Sequence, residues 1–318
     1  MNNTFAYSND NKRYHTLSYH FGQIFGRRMT KLALNTGCTC PNRDGSKGVG
    51  GCTFCSQAGG AIHKTTSPLA EQYACERARF AKKWPNTGFI AYFQSFSNTY
   101  LPLERLRLLV EEALALPRIG GLAIATRADC ITPEIADYLA EIAQRTWLSV
   151  ELGLQSIHDE TALRINRCHT YSEFLQGYEL LKSRGVNICV HLINGLPGET
   201  CEMMLESARA VAALRPHSVK LHMLHILKDT ALAREYAAKP FRILTRDEYV
   251  GIVCDQLALL PPEIVIQRVT GDPLKSELIE PRWTTDKLRA RNAIDLELVR
   301  RGIFQGDYFG ADAAYIAK

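Results

Sequence analysis

No apolar stretch in these 318 residues reaches the roughly 18 that suggest a membrane-spanning helix. The opening residues, MNNTFAYSNDNKRYHT, are polar and lack the apolar core of a secretory leader. Low-complexity tracts and tandem repeats are also missing, beyond a strand–helix rhythm described below. A strong charge of either sign is lacking too, since 38 Lys and Arg against 33 Asp and Glu leave a net charge of +5. So mild an excess permits an anionic partner such as RNA without demanding one, and solubility alone accounts for it. These absences leave a chain expected in the cytoplasm, long enough at 46% hydrophobic residues for one large domain, or one plus an appendage.

Cysteine, by contrast, is plentiful. In a cytosolic chain, ten thiols point to metal or redox chemistry rather than disulfide staples. Cys75, Cys130, Cys168, Cys189, Cys201 and Cys254 are scattered singly, as small apolar residues often are. The other four are crowded into CTCPNRDGSKGVGGCTFC, positions 38–55.

Around this cluster the chain alternates. From about 29 to 228, strand-like runs (MTKLALNTG, TGFIAYFQSFS, GLAIATRAD, WLSVELGLQS, VNICVHLINGLPG and SVKLHMLHIL) are separated by segments of helical period. Ser67-Pro68 and Thr132-Pro133 each predict a capping hydroxyl before a first-turn proline, and Gly185 a left-handed helix end. Six such repeats imply an α/β fold with parallel strands, curled into a full or partial barrel or left open. In either case the C-terminal strand ends form the working face. Asn35, Gln94, Ser95, Arg127, Asp129, Gln155, Ser156, Asn194 and His225 collect there. After about 240 the pattern changes to a helix opened by a Thr245…Glu248 capping box, the strand EIVIQRVTGD and a second helix. The expected division is a lead-in at 1–28, a barrel at 29–239, and a small α+β extension at 240–318 packed on the barrel.

Cys52-Thr-Phe-Cys55 has the spacing with which two thiolates share one metal or cluster. A structural zinc site would use all four cysteines, and a redox pair would want a thioredoxin-like context that is missing here. An iron–sulfur cluster held by three thiolates would leave one iron open for a ligand. The position after the first strand, on the working face and beside Phe54, favours the cluster.

The segments KLALNTGCTCPNRDGSKGVGGCTFC, AYFQSFSNTY, TRADC, ELGLQSIHDETALRINRCHT, HLINGLPGE and KLHMLHILKDT, in this order, resemble radical S-adenosylmethionine (SAM) enzymes of the YhcC type. They are similar also to the radical domain of the elongator catalytic subunit. The resemblance implies a partial (βα)6 TIM-like barrel in which Cys40, Cys52 and Cys55 ligate a [4Fe–4S] cluster. SAM binds the fourth iron and is cleaved to a 5′-deoxyadenosyl radical that takes hydrogen from a substrate. It implies Gln94, Ser95, Asn98 and Thr99 as contacts to the methionine amino group, and Arg127 with Asp129 as cofactor or substrate contacts. Ala128 stands where the family usually has proline. Glu151, Gln155 and Ser156 would grip ribose hydroxyls, Arg167 (or its neighbour Arg164) the cofactor carboxylate, and Gly195, Pro197 and Gly198 the adenine. A lone inward Glu151 would be costly without a partner.

Cys38 departs from the family pattern and keeps a four-cysteine zinc enzyme as the alternative. A non-catalytic iron–sulfur or RNA-binding protein is the other. Lys220 and His222, two apart on one strand face, are the catalytic candidates. Trp283, with Lys287, Arg289 and Arg291, could meet nucleic acid. By the same resemblance, a flavodoxin or ferredoxin would donate the electron, and the leading substrate is a tRNA wobble-uridine side chain. These residues show no resemblance to the acetyltransferase domain of the elongator protein, so acetyl transfer is not expected of them.

Overall fold

The computed structural model describes residues 5, 7–8, 11–59 and 67–310. Parts of the expected lead-in and the last eight residues of the expected extension lie outside these. Strands β1 (Met29–Leu34), β2 (Gly88–Phe93), β3 (Ile119–Thr126), β4 (Trp147–Gln155), β5 (Ile188–Asn194) and β6 (Ser218–Met223) coincide with the six strand-like runs. Two short strands, β7 (Ile226–Leu227) and β9 (Leu278–Glu280), pair antiparallel apart from the rest. The strand foreseen in EIVIQRVTGD is β8 (Val265–Arg268). It does more than pack on a finished barrel, because it pairs parallel with β6 and gives the sheet the order β1-β2-β3-β4-β5-β6-β8.

Ten helices are described. α1 (Leu17–Phe25), α2 (Leu69–Ala81), α3 (Leu103–Leu114), α4 (Pro133–Arg145), α5 (Asp159–Arg164), α6 (Tyr171–Lys182) and α7 (Cys201–Leu214) accompany the first six strands. α8 (Ala231–Ala238), α9 (Arg246–Leu259) and α10 (Lys287–Arg301) follow. The Thr132 hydroxyl accepts from the Ile135 N–H with proline at the first position, and Thr245 and Glu248 close the expected capping box. Gly185 takes φ +70°, as its place after α6 requires. The start of α2 differs. Pro68 itself caps, with no side-chain bond, and the Ser67 carbonyl accepts from the buried Gln72 amide instead.

The chain divides into two compact units: Phe21–Leu154 with Asn166–Cys189, and Met1–His20 with Gln155–Ile165 and Val190–Lys318. In the first, β1 to β4 pair in parallel register. Leu32, Leu34, Phe93, Leu122, Ile124, Val150 and Leu152 share one buried face of these strands, and Ile90 is buried on the other, in register with Lys31. Each contributes about 1.5–3 kcal/mol by leaving water. Gly177 in α6 marks a close approach, since a Cβ there would lie 2.1 Å from the Ala128 carbonyl oxygen.

Candidate active site

The loop after β1 carries the clustered cysteines. Its eleven-residue gap is folded back on itself. The Pro41 carbonyl accepts from Lys47 and Gly48, and Asn42 accepts from Gly51 at 2.7 Å. Gly45, Gly50 and Gly51 all adopt positive φ. Cys55 N–H closes the second turn on the Cys52 carbonyl at 2.9 Å. The fold therefore returns the chain so that Cys40 and Cys52 both act electrostatically on Cys55. Burial, then the Cys52 thiol, pushes the Cys55 thiol up, against the pull of Arg43.

Donors point at these sulfurs. Asn42 Nδ2 lies 3.6 Å and Arg167 Nη1 3.7 Å from Cys52 Sγ, and Arg43 Nη2 3.8 Å from Cys55 Sγ. Donors so placed offer hydrogen bonds to two of the sulfurs that would ligate a metal. Cys38 faces elsewhere. Burial raises it, Thr36 and Arg105 oppose that, and none of the other three thiols acts on it. The donor set thus fits a three-thiolate site better than a four-thiolate one. All ten cysteines are free of disulfides.

A network in the same unit fixes Arg167. Arg127 makes a bidentate pair with Asp129, both bonds 2.8 Å, and donates to the carbonyls of Arg167 and Cys168. Lys47, from the cysteine loop, joins Asp129 and Glu173, each at 3.0 Å. Burial pushes Asp129 up, but Arg127 and Lys47 outweigh it and bring the carboxyl down to about 2. Asn166 and Cys168 both hold positive φ (51° and 52°), so Arg167 sits between two left-handed residues. Burial, followed by Arg167 and Arg127, holds the neighbouring His169 down at about 3 and neutral.

Asn98 and Thr99 are buried and engaged within the loop. The Asn98 amide donates to the carbonyls of Phe93, Ser95 and Ala125, and its oxygen accepts from Thr36. Thr99 pairs with Thr126 and donates to Cys130. These two brace the end of β2. Ser95 is buried and Gln94 half-buried beside them. Glu151 is fully buried on β4 and finds the partners its burial requires: Lys31 from β1 at 2.5 Å and the Tyr92 hydroxyl from β2 at 2.7 Å. Neither Lys31 nor Tyr92 stood out in the sequence, and nor did Asn42, Arg43 or Lys47. The available signal was a lysine inside an apolar strand run.

In the second unit, Gln155 ends β4 with φ +75°. The Ser156 hydroxyl donates to Glu199, whose carboxyl burial pushes up. Gly195 takes φ +85° and donates its N–H toward Met204 Sδ, while Pro197 is buried and Gly198 exposed. Asn194 and Gln256 exchange two 2.8 Å amide bonds. Lys220 is buried and His222 half-buried on β6. Arg164 is a surface residue paired with Glu235. The Trp283 indole donates to the Leu244 carbonyl and its half-buried ring tilts against Tyr249 at 5.5 Å. Lys287 pairs with Asp272.

The family model for the radical SAM superfamily matches residues 35–211, and that for the radical SAM C-terminal domain matches 216–300. The chain belongs to the radical SAM superfamily, and it is an enzyme of that class. It is 46% identical over 311 residues to the uncharacterized protein YtqA of Bacillus subtilis, covering 97% of each chain. It is 33% identical to protein YhcC of Escherichia coli K12, covering 90% of this chain and 92% of that one. Among solved structures, Elp3 of the archaeon Methanocaldococcus infernus superposes with a TM-score of 0.66 at 15% identity, over 87% of this chain and 64% of that one. That likeness shows the fold, a partial (βα)6 TIM-like barrel of the radical SAM type, to which β8 adds a seventh strand. No helix among the described residues is long and apolar enough to cross a membrane.

Proposed function

We propose that this enzyme binds a [4Fe–4S] cluster through Cys40, Cys52 and Cys55, together with SAM, and acts on a tRNA wobble-uridine side chain in the cytoplasm. The observation that carries the reading is the convergence of these three thiols, with N–H donors aimed at two of them and Cys38 turned aside. When bound, the cluster and SAM supply a carbon radical able to abstract hydrogen from an unactivated position, after an electron arrives from a flavodoxin- or ferredoxin-like donor.

The chain's own groups do the holding. Asn42, Arg43 and Arg167 offer hydrogen bonds to the ligating sulfurs, which stabilise their negative charge. Arg127 and Asp129 hold the Arg167 segment by its carbonyls, and Lys47 ties the cysteine loop to the same carboxylate. Gln94, Ser95, Gln155, Ser156, Gly195 and Pro197 remain the proposed contacts to SAM, and Glu151 contributes through its fixed ion pair. Asn98, Thr99 and Arg127 serve it by positioning those contacts. Similarity to YhcC and Elp3 supports the tRNA substrate.

Incubation of the anaerobically reconstituted enzyme with reductant and SAM is expected to yield 5′-deoxyadenosine, and tRNA from a deletion strain to lack one modified uridine. No 5′-deoxyadenosine above a Cys40→Ala control would overturn the chemistry. An unchanged nucleoside profile would overturn the substrate.

A further inference from the structure

The mild net charge of +5 conceals an uneven distribution. Residues 21–103 hold ten Lys and Arg against three Asp and Glu, an excess larger than that of the whole chain. The first unit brings six of these ten cations to one end. Arg27 and Arg28 precede β1, while Arg77, Arg79, Lys82 and Lys83 lie in the second half of α2 or just after it. Arg118, just before β3, joins them. They converge on the corner at Thr87 and Gly88. The Arg28 carbonyl accepts from the Gly88 N–H and the Thr87 hydroxyl, and a Cβ on Gly88 would lie 3.1 Å from Arg27 Nε. Arg118 donates to the Pro85 carbonyl at 3.0 Å, and its own carbonyl accepts from Phe89. Burial raises the Tyr73 hydroxyl, and Arg77 and Arg118 both oppose that. The Arg28 guanidinium lies 3.9 Å and Lys83 Nζ 4.8 Å from the centre of the Trp84 ring, on which Phe80 stacks at 5.7 Å. All seven cations are exposed, and of them only Arg79 makes an ion pair with a described residue, Glu76. The segments that carry them expose no large apolar side chain.

Uncompensated like charges crowded on one face repel one another, and an anionic partner relieves that cost. We propose that this face docks the phosphate backbone of an RNA. Five of its seven cations are arginines, whose planar forks take two phosphate oxygens at once. The stack on Trp84 holds one of these forks in place before contact. An interface for an acidic protein would centre on apolar side chains, and a membrane surface would want them for insertion. This face offers neither. It lies at the N-terminal ends of β1, β2 and β3, whereas the cysteine loop follows the C-terminal end of β1. A strand of that length puts about 20 Å between the two, or about six stacked base pairs. A folded RNA has that reach and a single nucleotide lacks it. Naming the RNA as the substrate rests on the tRNA reading above. The RNA affinity does not.

The test is fluorescence anisotropy of the full-length protein with a labelled tRNA transcript, repeated between about 50 and 200 mM salt. Polyglutamate and phosphatidylglycerol vesicles are measured alongside. Wild type is expected to bind tRNA more tightly than either, with log affinity falling linearly against log salt. Arg28→Gln/Lys83→Gln and Arg77→Gln/Arg118→Gln should each flatten that slope by about two units, one for each lost phosphate contact. Lys239→Gln/Lys275→Gln removes two exposed cations of the other unit and should leave the slope unchanged. All of these side chains are exposed, so the variants are expected to fold, which circular dichroism verifies. Cys40→Ala should bind tRNA as wild type does. A wild type without tRNA affinity, a slope indifferent to the patch variants, or an equal change in the control pair would overturn the assignment. So would polyglutamate or vesicles bound more tightly than tRNA. Patch-dependent RNA binding in a protein that releases no 5′-deoxyadenosine would sink the radical reading and leave the surface standing.

Discussion

Lys31 Nζ and Glu151 Oε1 lie 2.5 Å apart, although two strands separate β1 from β4. In a flat sheet those strands would be about 14 Å apart, so the first unit must curl to bring one face inward. The curl is what lets Lys31, Tyr92 and Glu151 meet. Glu151 is 0% and Lys31 14% exposed. Lys31→Met removes the cation that lies 2.5 Å from a buried carboxylate and should cost about 3–5 kcal/mol. The double variant Lys31→Met/Glu151→Leu should recover most of that loss. Urea unfolding of the singles and the double, treated as a cycle, measures the coupling.

Gly177 tests the packing of α6. Alanine in a helix interior normally gains about 1 kcal/mol over glycine. Here its methyl would meet the Ala128 carbonyl at 2.1 Å, and overpacking of that kind costs about 1–3 kcal/mol. Gly177→Ala should therefore lower the thermal midpoint, and a raised midpoint would contradict the close approach.

Cys38 and Cys40 are two residues apart and face different surroundings. Cys38→Ala should keep iron and acid-labile sulfide at wild-type levels, whereas Cys40→Ala should lose both. Equal loss in the two variants would restore the four-cysteine alternative.

The network around Arg127 predicts two limbs of acid sensitivity. Asp129 has a folded value of about 2 against an ordinary 3.8. The stability it contributes is therefore present above pH 3.8 and is lost as pH falls toward 2. His169 has a folded value of about 3 against 6.5. The unfolded state takes up its proton first, so stability also falls from pH 6.5 toward 3. Urea midpoints against pH should lose the lower limb in Asp129→Asn and the upper in His169→Gln.

Arg43 donates toward Cys55 Sγ and to the Ser56 carbonyl. Removing a hydrogen bond to a ligating sulfur leaves its charge less stabilised, which disfavours adding an electron. Arg43→Ala should shift the reduction potential to more negative values, read by redox titration with electron paramagnetic resonance (EPR).

Much of this was legible along the chain. The six strands showed as apolar runs, and the thiols advertised themselves by spacing. Glu151 was conspicuous because a carboxylate among buried strand residues demands a partner. Its partner Lys31 was not, being 120 positions away on a strand that meets β4 only through the curl. Asn98 illustrates a different limit: a polar loop residue reads the same whether its amide faces a ligand or, as here, three backbone carbonyls. Trp283 beside cations suggested a surface platform, and its contact with Tyr249, 34 positions away, could not be seen along the chain.

The central claim is that Cys40, Cys52 and Cys55 hold a cubane with one iron available to SAM, and EPR of the reduced protein tests it most directly. The account predicts a cluster signal from about four iron per chain that changes when SAM is added. Stoichiometric zinc without acid-labile sulfide, or a cluster signal indifferent to SAM, would contradict it.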